Sequence, residues 1–202
     1  MTIEVGSKLP EVTLFRATAD GPEAVNTKEF FAGRKVVVFA VPGAFTPTCS
    51  AKHLPGFVAN AEAIKAKGVD EIVCLASNDA FVMNAWAKAE NAGDNITMLS
   101  DGDLAFVSKT GLELDLTGRG LGKRANRFAM IVDDGKVTDL AVEEPGAFDV
   151  SNAETVLGLV CLAMKCTTPS LKSDLIGDQL MKTPPRLSYS RMSRSRNNSL
   201  KL

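Results

Sequence analysis

A cysteine stands alone in the stretch Val41-Pro-Gly-Ala-Phe-Thr-Pro-Thr-Cys-Ser50, after a β-branched apolar run and before a segment with helical periodicity. At such a strand-to-helix turn, backbone N–H groups lack partners and the helix dipole is positive. A free thiol has a pKa of about 8.5, and a helix N-terminus favours its ionised, nucleophilic form. Thr46 lies three residues before Cys49, where a C-x-x-C site would carry its first sulfur. With a hydroxyl there, Cys49 cannot close a local disulfide, so its oxidised form must be another species. Sulfenic acid, the first step of cysteine oxidation and the product of attack on a peroxide, is the candidate.

The elements that must hold this turn can be read from patterning. Lys35-Val-Val-Val-Phe-Ala-Val41 and Glu71-Ile-Val-Cys-Leu-Ala76 lack polar alternation, as strands covered on both faces do. Between them, Ser50 to Lys67 carries Phe57, Ala61 and Ile64 at helical spacing. An irregularity is expected at Pro55, which has no N–H to give. Asn78 or Asp79 can cap a second helix bearing Phe81, Val82, Ala85 and Trp86, with Gly93 beyond its end. Arg127 to Val132, Asp133-Asp134-Gly135 and Lys136 to Val142 form a hairpin signature. Ser151 with Glu154 three residues on reads as a capping box, opening a helix through Val156, Leu157, Val160 and Met164 that Thr167-Thr168-Pro169 stops. Strand–helix–strand units beside a hairpin predict an α/β protein with a mixed central sheet and helices on both faces.

The whole chain, 202 residues and 21.5 kDa, suits one domain with or without an appendage. Its 45% hydrophobic and 23% charged residues exclude a wholly disordered, collagenous or disulfide-dense chain. No apolar run approaches the roughly 20 residues of a membrane helix, and Glu4 and Lys8 interrupt the start, so neither a membrane span nor a signal peptide is expected. A net charge of −1 gives no field suited to nucleic acid. The charge is split, however. Residues 163–202 hold eight Lys/Arg against Asp174 and Asp178, a net of +6, which leaves −7 for residues 1–162. With Pro184-Pro185 and the polar run Ser188 to Ser199, this predicts a folded body over 1–162 and a basic, disordered extension over 163–202. Four cysteines without an export signal suggest a reducing compartment, hence a cytoplasmic location. Mitochondrial and peroxisomal locations stay open, although the terminal Leu200-Lys201-Leu202 lacks the small first residue of an S-K-L address.

Pro42-Gly-Ala-Phe-Thr-Pro-Thr-Cys49, followed by Lys52-His-Leu-Pro-Gly56, resembles the signature of the peroxiredoxins, specifically the type II, peroxiredoxin-5-like subfamily. Val5-Gly-Ser-Lys-Leu-Pro10, Ser77-Asn-Asp-Ala-Phe-Val-Met83 with Trp86, Leu112-Glu-Leu-Asp115 and Arg127-Phe-Ala-Met-Ile-Val-Asp-Asp134 are similar to it as well, so the resemblance spans roughly residues 3–162. It implies a thioredoxin-like fold and thiol-dependent reduction of hydrogen peroxide and alkyl hydroperoxides, without metal, haem or other cofactor. Thioredoxin, glutaredoxin or glutathione would be the reductant, and the chain would form a homodimer near the active-site turn.

By the same resemblance, Cys49 is the peroxidatic nucleophile, Thr46 hydrogen-bonds thiolate and peroxide, and Pro42 shields the sulfur from water. Arg127 supplies a fixed positive charge beside it. Lys123 and Arg124 are read as solvated charges. His53 is read as packing or pocket-rim structure, not as a base, and Phe45, Phe81 and Trp86 as core or pocket wall. Cys74, inside an apolar strand, has two open roles: resolving the sulfenic acid as a disulfide with Cys49, or a small buried hydrophobe. The resolving position just before the last helix in another branch of the family holds Asp149-Val150-Ser151 here. Cys161 and Cys166 do not form a metal pattern, though a thiol in the extension could reach Cys49. A different class of function also stays open, a redox-sensing adaptor whose oxidised Cys49 is read by a partner protein.

Overall fold

The computed structural model describes residues 2–165. In chain order the elements are β1 (Thr13–Thr18), β2 (Gly21–Asn26), α1 (Thr27–Phe31), β3 (Lys35–Ala40), a wide π-helical turn (Cys49–His53), α2 (Leu54–Lys65), β4 (Glu71–Ala76), α3 (Ala80–Ala89), β5 (Thr97–Ser100), α4 (Ala105–Thr110), β6 (Glu113–Leu116), β7 (Gly122–Ala125), β8 (Phe128–Asp133), β9 (Lys136–Val142) and α5 (Ala153–Lys165). One sheet of seven strands runs in the order β2-β1-β5-β4-β3-β8-β9. β3, β4 and β5 pair in parallel, and the other pairs are antiparallel. This is the mixed sheet that the patterning predicts.

Period-two alternation divides β3 between two apolar layers. Val37 and Phe39 face a layer that includes Phe57 and Ile64 of α2, Met83 and Trp86 of α3, and Val156 and Val160 of α5. Val36, Val38 and Ala40 face the other, with Phe31 of α1 and Phe106 and Val107 of α4. Helices therefore cover both faces, which is why β3 and β4 are apolar throughout their buried lengths. The β8–β9 hairpin closes through Asp134 and Gly135, whose φ angles of 48° and 72° are the two positive values of a two-residue turn matched to strand twist.

One element is unannounced, and two local expectations are corrected. β6 and β7 form a separate two-stranded ribbon that the patterning does not announce, because four-residue strands bearing Glu113, Asp115 and Lys123 look like a loop. Ser151 does not cap α5: Asn152 does, its Oδ1 accepting from the Thr155 amide at 2.8 Å, while the Ser151 hydroxyl turns to Glu143. Phe45 and Phe81 are neither core nor wall but exposed, at 56% and 61%, whereas Trp86 is fully buried. The last helix, α5, runs to Lys165, in keeping with the helix read through Met164 and stopped at Thr167-Thr168-Pro169. Cys166 and the rest of the basic extension lie outside the described residues.

Candidate active site

The loop after β3 is tied down from three sides. Val41 donates its N–H to Leu75 O on β4 at 3.0 Å, Ala44 donates to Asn78 Oδ1 ahead of α3 at 2.8 Å, and Thr46 Oγ1 donates to Gly43 O at 2.8 Å. Between these anchors Phe45 adopts a φ of 60°, a left-handed conformation costing a non-glycine residue about 1–2 kcal/mol. Gly43 is held close as well, since a Cβ there would meet Thr46 Cγ2 at 3.3 Å. The first backbone bond of the helical turn runs from Ser50 N–H to Thr46 O at 3.0 Å. The Cys49 amide stands ahead of that bond, among the donors a helix start leaves open.

The irregularity expected at Pro55 takes the form of the π turn. Leu54 donates its N–H back five residues to Cys49 O, and Pro55 enters at the start of α2, where a missing N–H costs nothing. The turn leaves Cys49 fully buried and Ser50 against α3, where the Trp86 Nε1–H donates to Ser50 Oγ at 2.8 Å.

Arg127 reaches this sulfur from the strand start at β8. Its Nη2 donates to Cys49 Sγ at 3.5 Å and its Nη1 to His53 Nδ1 at 2.9 Å, and its Cζ lies 5.6 Å from the Phe148 ring centroid. A guanidinium only donates, so His53 Nδ1 accepts and the ring proton sits on Nε2, which donates to Ser151 O at 3.0 Å. His53 is fully buried among Phe39, Phe57 and Phe148, with centroids 5.1, 5.6 and 5.0 Å away. That burial foremost, then the Arg127 charge, pushes its pKa down to about 3. The imidazole is thus neutral in a fixed tautomer: packing, as expected, but packing that holds the guanidinium. Arg127, and neither Lys123 nor Arg124, is the cation bonded to the sulfur. Lys123 is exposed and pairs with Glu113 at 2.8 Å, and half-buried Arg124 donates to Leu121 O.

Pro42 and Arg127 line a cavity of about 280 Å³ walled by Leu114 and Leu116, with Arg119 and Glu144 also lining it. Another cavity of about 330 Å³, lined by Lys8, Thr27 and Asp134, holds no cysteine and no histidine. Cys74 shares the apolar layer of Cys49, and burial foremost, then the neighbouring Cys49, pushes its thiol pKa well above the ordinary value. Cys161 is half-buried on α5. Thr46 departs from expectation in one respect: its hydroxyl proton goes to Gly43 O and not to the sulfur.

A buried sulfur at a helix start with a guanidinium at hydrogen-bond range can hold negative charge and place an oxygen atom in line with it. Sequence reasoning names Cys49, Thr46, Pro42 and Arg127 as candidates and does not name the residues bonded around them. Asn78 reads from sequence only as a cap; Phe148 meets His53 and Arg127 from far along the chain, and Glu143, whose partners lie six to eight residues on, belongs to no motif that marks it.

The Redoxin family matches residues 4–157. Among curated relatives, peroxiredoxin-2E-2 (chloroplastic) of Oryza sativa subsp. japonica is 52% identical over 161 residues, 77% of this chain and 72% of that one. Peroxiredoxin-2B of Arabidopsis thaliana is 47% identical over 156 residues, covering 77% of this chain and 96% of its own. The crystal structure of reduced Prx3 in complex with hydrogen peroxide from Vibrio vulnificus is 53% identical, with a TM-score of 0.76, covering 79% of this chain and 99% of that one. The fold is accordingly thioredoxin-like. A match over most of the body, joined to a lone buried sulfur under a guanidinium, shows that this chain belongs to the peroxiredoxins, in their type II, peroxiredoxin-5-like branch, and is a thiol-dependent peroxidase.

Proposed function

We propose that Cys49 is the attacking sulfur and that Arg127, Thr46 and Pro42 build its site. The observation that carries this reading is the 3.5 Å contact from Arg127 Nη2 to Cys49 Sγ between two buried side chains. The thiolate attacks one oxygen of hydrogen peroxide or an alkyl hydroperoxide, and the S–O bond forms as the O–O bond breaks. The departing oxygen takes a proton and leaves as water or alcohol, and Cys49 becomes the sulfenic acid. The guanidinium stabilises charge at the sulfur and on the departing oxygen, in a site where low dielectric strengthens each interaction. Thr46, whose proton is committed to Gly43 O, keeps lone pairs that accept from the peroxide O–H. Pro42, on the cavity wall, keeps bulk water from the sulfur.

An external thiol completes the cycle. It condenses with Cys49–SOH, releasing water and leaving a mixed disulfide, which a second thiol opens to restore Cys49. Glutathione, glutaredoxin or thioredoxin supplies these thiols. The Cys74 thiol, pushed up by burial, stays protonated and is therefore a poor nucleophile for that step. A reducing compartment, the cytoplasm in the simplest case, suits a chain that works as a free thiol. Exposed Phe45 and Phe81 flank the Ala44–Asn78 bond and offer an apolar face for a second copy of the chain.

Stopped-flow mixing with hydrogen peroxide tests the reading. Cys49→Ser abolishes turnover, and mass spectra of the wild-type protein after one equivalent of peroxide plus glutathione show a Cys49–glutathione adduct. Turnover surviving Cys49→Ser overturns the assignment of the nucleophile, and a Cys49–Cys74 disulfide overturns the external route.

A further inference from the structure

Glu143, immediately after β9, joins the two halves of the site without touching the sulfur or lining the cavity of Pro42 and Arg127. Its backbone N–H donates to Arg127 O at 2.9 Å. Its Oε1 accepts from the amides of Asp149, Val150 and Ser151 and from the Ser151 hydroxyl, each at 2.8 Å. The residue is only 4% exposed, and Ser151 is not exposed at all. A carboxylate so deep is costly unless its lone pairs are filled. Burial alone would raise its pKa, but these four bonds outweigh burial and leave it below the ordinary carboxylate value. Ser151 is consequently held at both its N–H and its hydroxyl, which fixes the residue whose carbonyl meets His53 Nε2 at 3.0 Å.

The direction of that carbonyl decides more than a capping contact would. Neutral imidazole offers one donor and one acceptor. With an acceptor fixed at Nε2, the proton belongs there and Nδ1 presents a lone pair to Arg127 Nη1 at 2.9 Å. The other tautomer would aim an N–H at a guanidinium N–H, two donors face to face, and drive the guanidinium off the position from which Nη2 reaches the sulfur. We propose that Glu143 is a positioning residue of the peroxidase site: by holding Ser151 it selects the Nε2–H tautomer of His53, and that tautomer sets the Arg127 guanidinium on Cys49. The proposal rests on the reading of Arg127 as the cation that serves the reacting sulfur.

His53 is the chain's only histidine, so its ring can be observed alone. The untagged full-length protein, labelled with ¹⁵N in histidine, shows one imidazole in the Nε2–H form. In Glu143→Ala that single tautomer is lost, and the second-order rate with hydrogen peroxide falls about tenfold, the lower scale for losing the outer partner of a metal-bound histidine. Glu143→Gln keeps an oxygen in reach of the same donors and restores both readouts to near wild type. If Glu143→Ala does not fold, Glu143→Asp, shortened by one methylene, carries the same two measurements. Arg127→Gln separates the two claims: an unchanged rate in that variant sinks the reading of Arg127. A slowed Arg127→Gln beside a Glu143→Ala whose tautomer or rate is unchanged overturns the relay alone.

Discussion

Thr46 gives its single hydroxyl proton to Gly43 O, so in the proposed mechanism it meets a peroxide as an acceptor. Thr46→Val removes that acceptor and slows peroxide reduction by about two orders of magnitude, the scale for losing one well-placed polar group, whereas Thr46→Ser keeps most of the rate; stopped-flow kinetics of the two variants check this. His53 makes a prediction about acid. Its folded pKa of about 3 lies below the 6.5 of a free imidazole, so between those values the unfolded chain binds a proton that the folded chain refuses. Stability therefore falls as pH drops below 6.5, by up to about 1.4 kcal/mol per pH unit for one such group. Urea unfolding at pH 7.5, 6.5 and 5.5 measures the slope, and His53→Asn flattens it. Cys49 and Arg127 were legible in the sequence because each sits in a distinctive run of residues. The part played by His53 was not, since its partners Arg127 and Ser151 are 74 and 98 positions away and leave no local period.

Neighbouring residues ahead of α3 divide two tasks. Asp79 Oδ1 accepts from the Phe81 and Val82 amides and caps the helix, while Asn78 Oδ1 reaches across to the Ala44 amide. Asp79→Ala then costs about 1 kcal/mol of stability with peroxide reduction retained, and Asn78→Ala slows peroxide reduction by loosening the turn. Urea unfolding and stopped-flow rates on the same two variants read out the division. From sequence either residue could cap α3, because Asn and Asp share that preference; only the fold brings Ala44 to one of them. The same limit applies at α5, where Ser151 and Asn152 are both cap formers and Glu143, eight residues upstream of Ser151, claims the serine. The strands β3 and β4 were readable throughout, since burial on both faces leaves an unbroken apolar run.

Across the whole molecule, a mixed sheet covered by helices on both faces follows from patterning, which marks β3, β4, β8 and β9 but not β1, β2 and β5, and the surface does not follow. Phe45 and Phe81 look like core from sequence, since large aromatics are usually buried; they stand out because the left-handed φ at Phe45 and the first turn of α3 aim them outward. Sedimentation velocity checks their use: the wild type sediments as a dimer, and Phe45→Ser with Phe81→Ser gives a monomer. The chain also has a single tryptophan, fully buried, whose indole N–H is bonded to the residue next to Cys49. Any chemistry that rearranges the π turn must alter the surroundings of that indole. The protein therefore carries its own optical gauge: emission from one chromophore reports the state of the loop, without a dye.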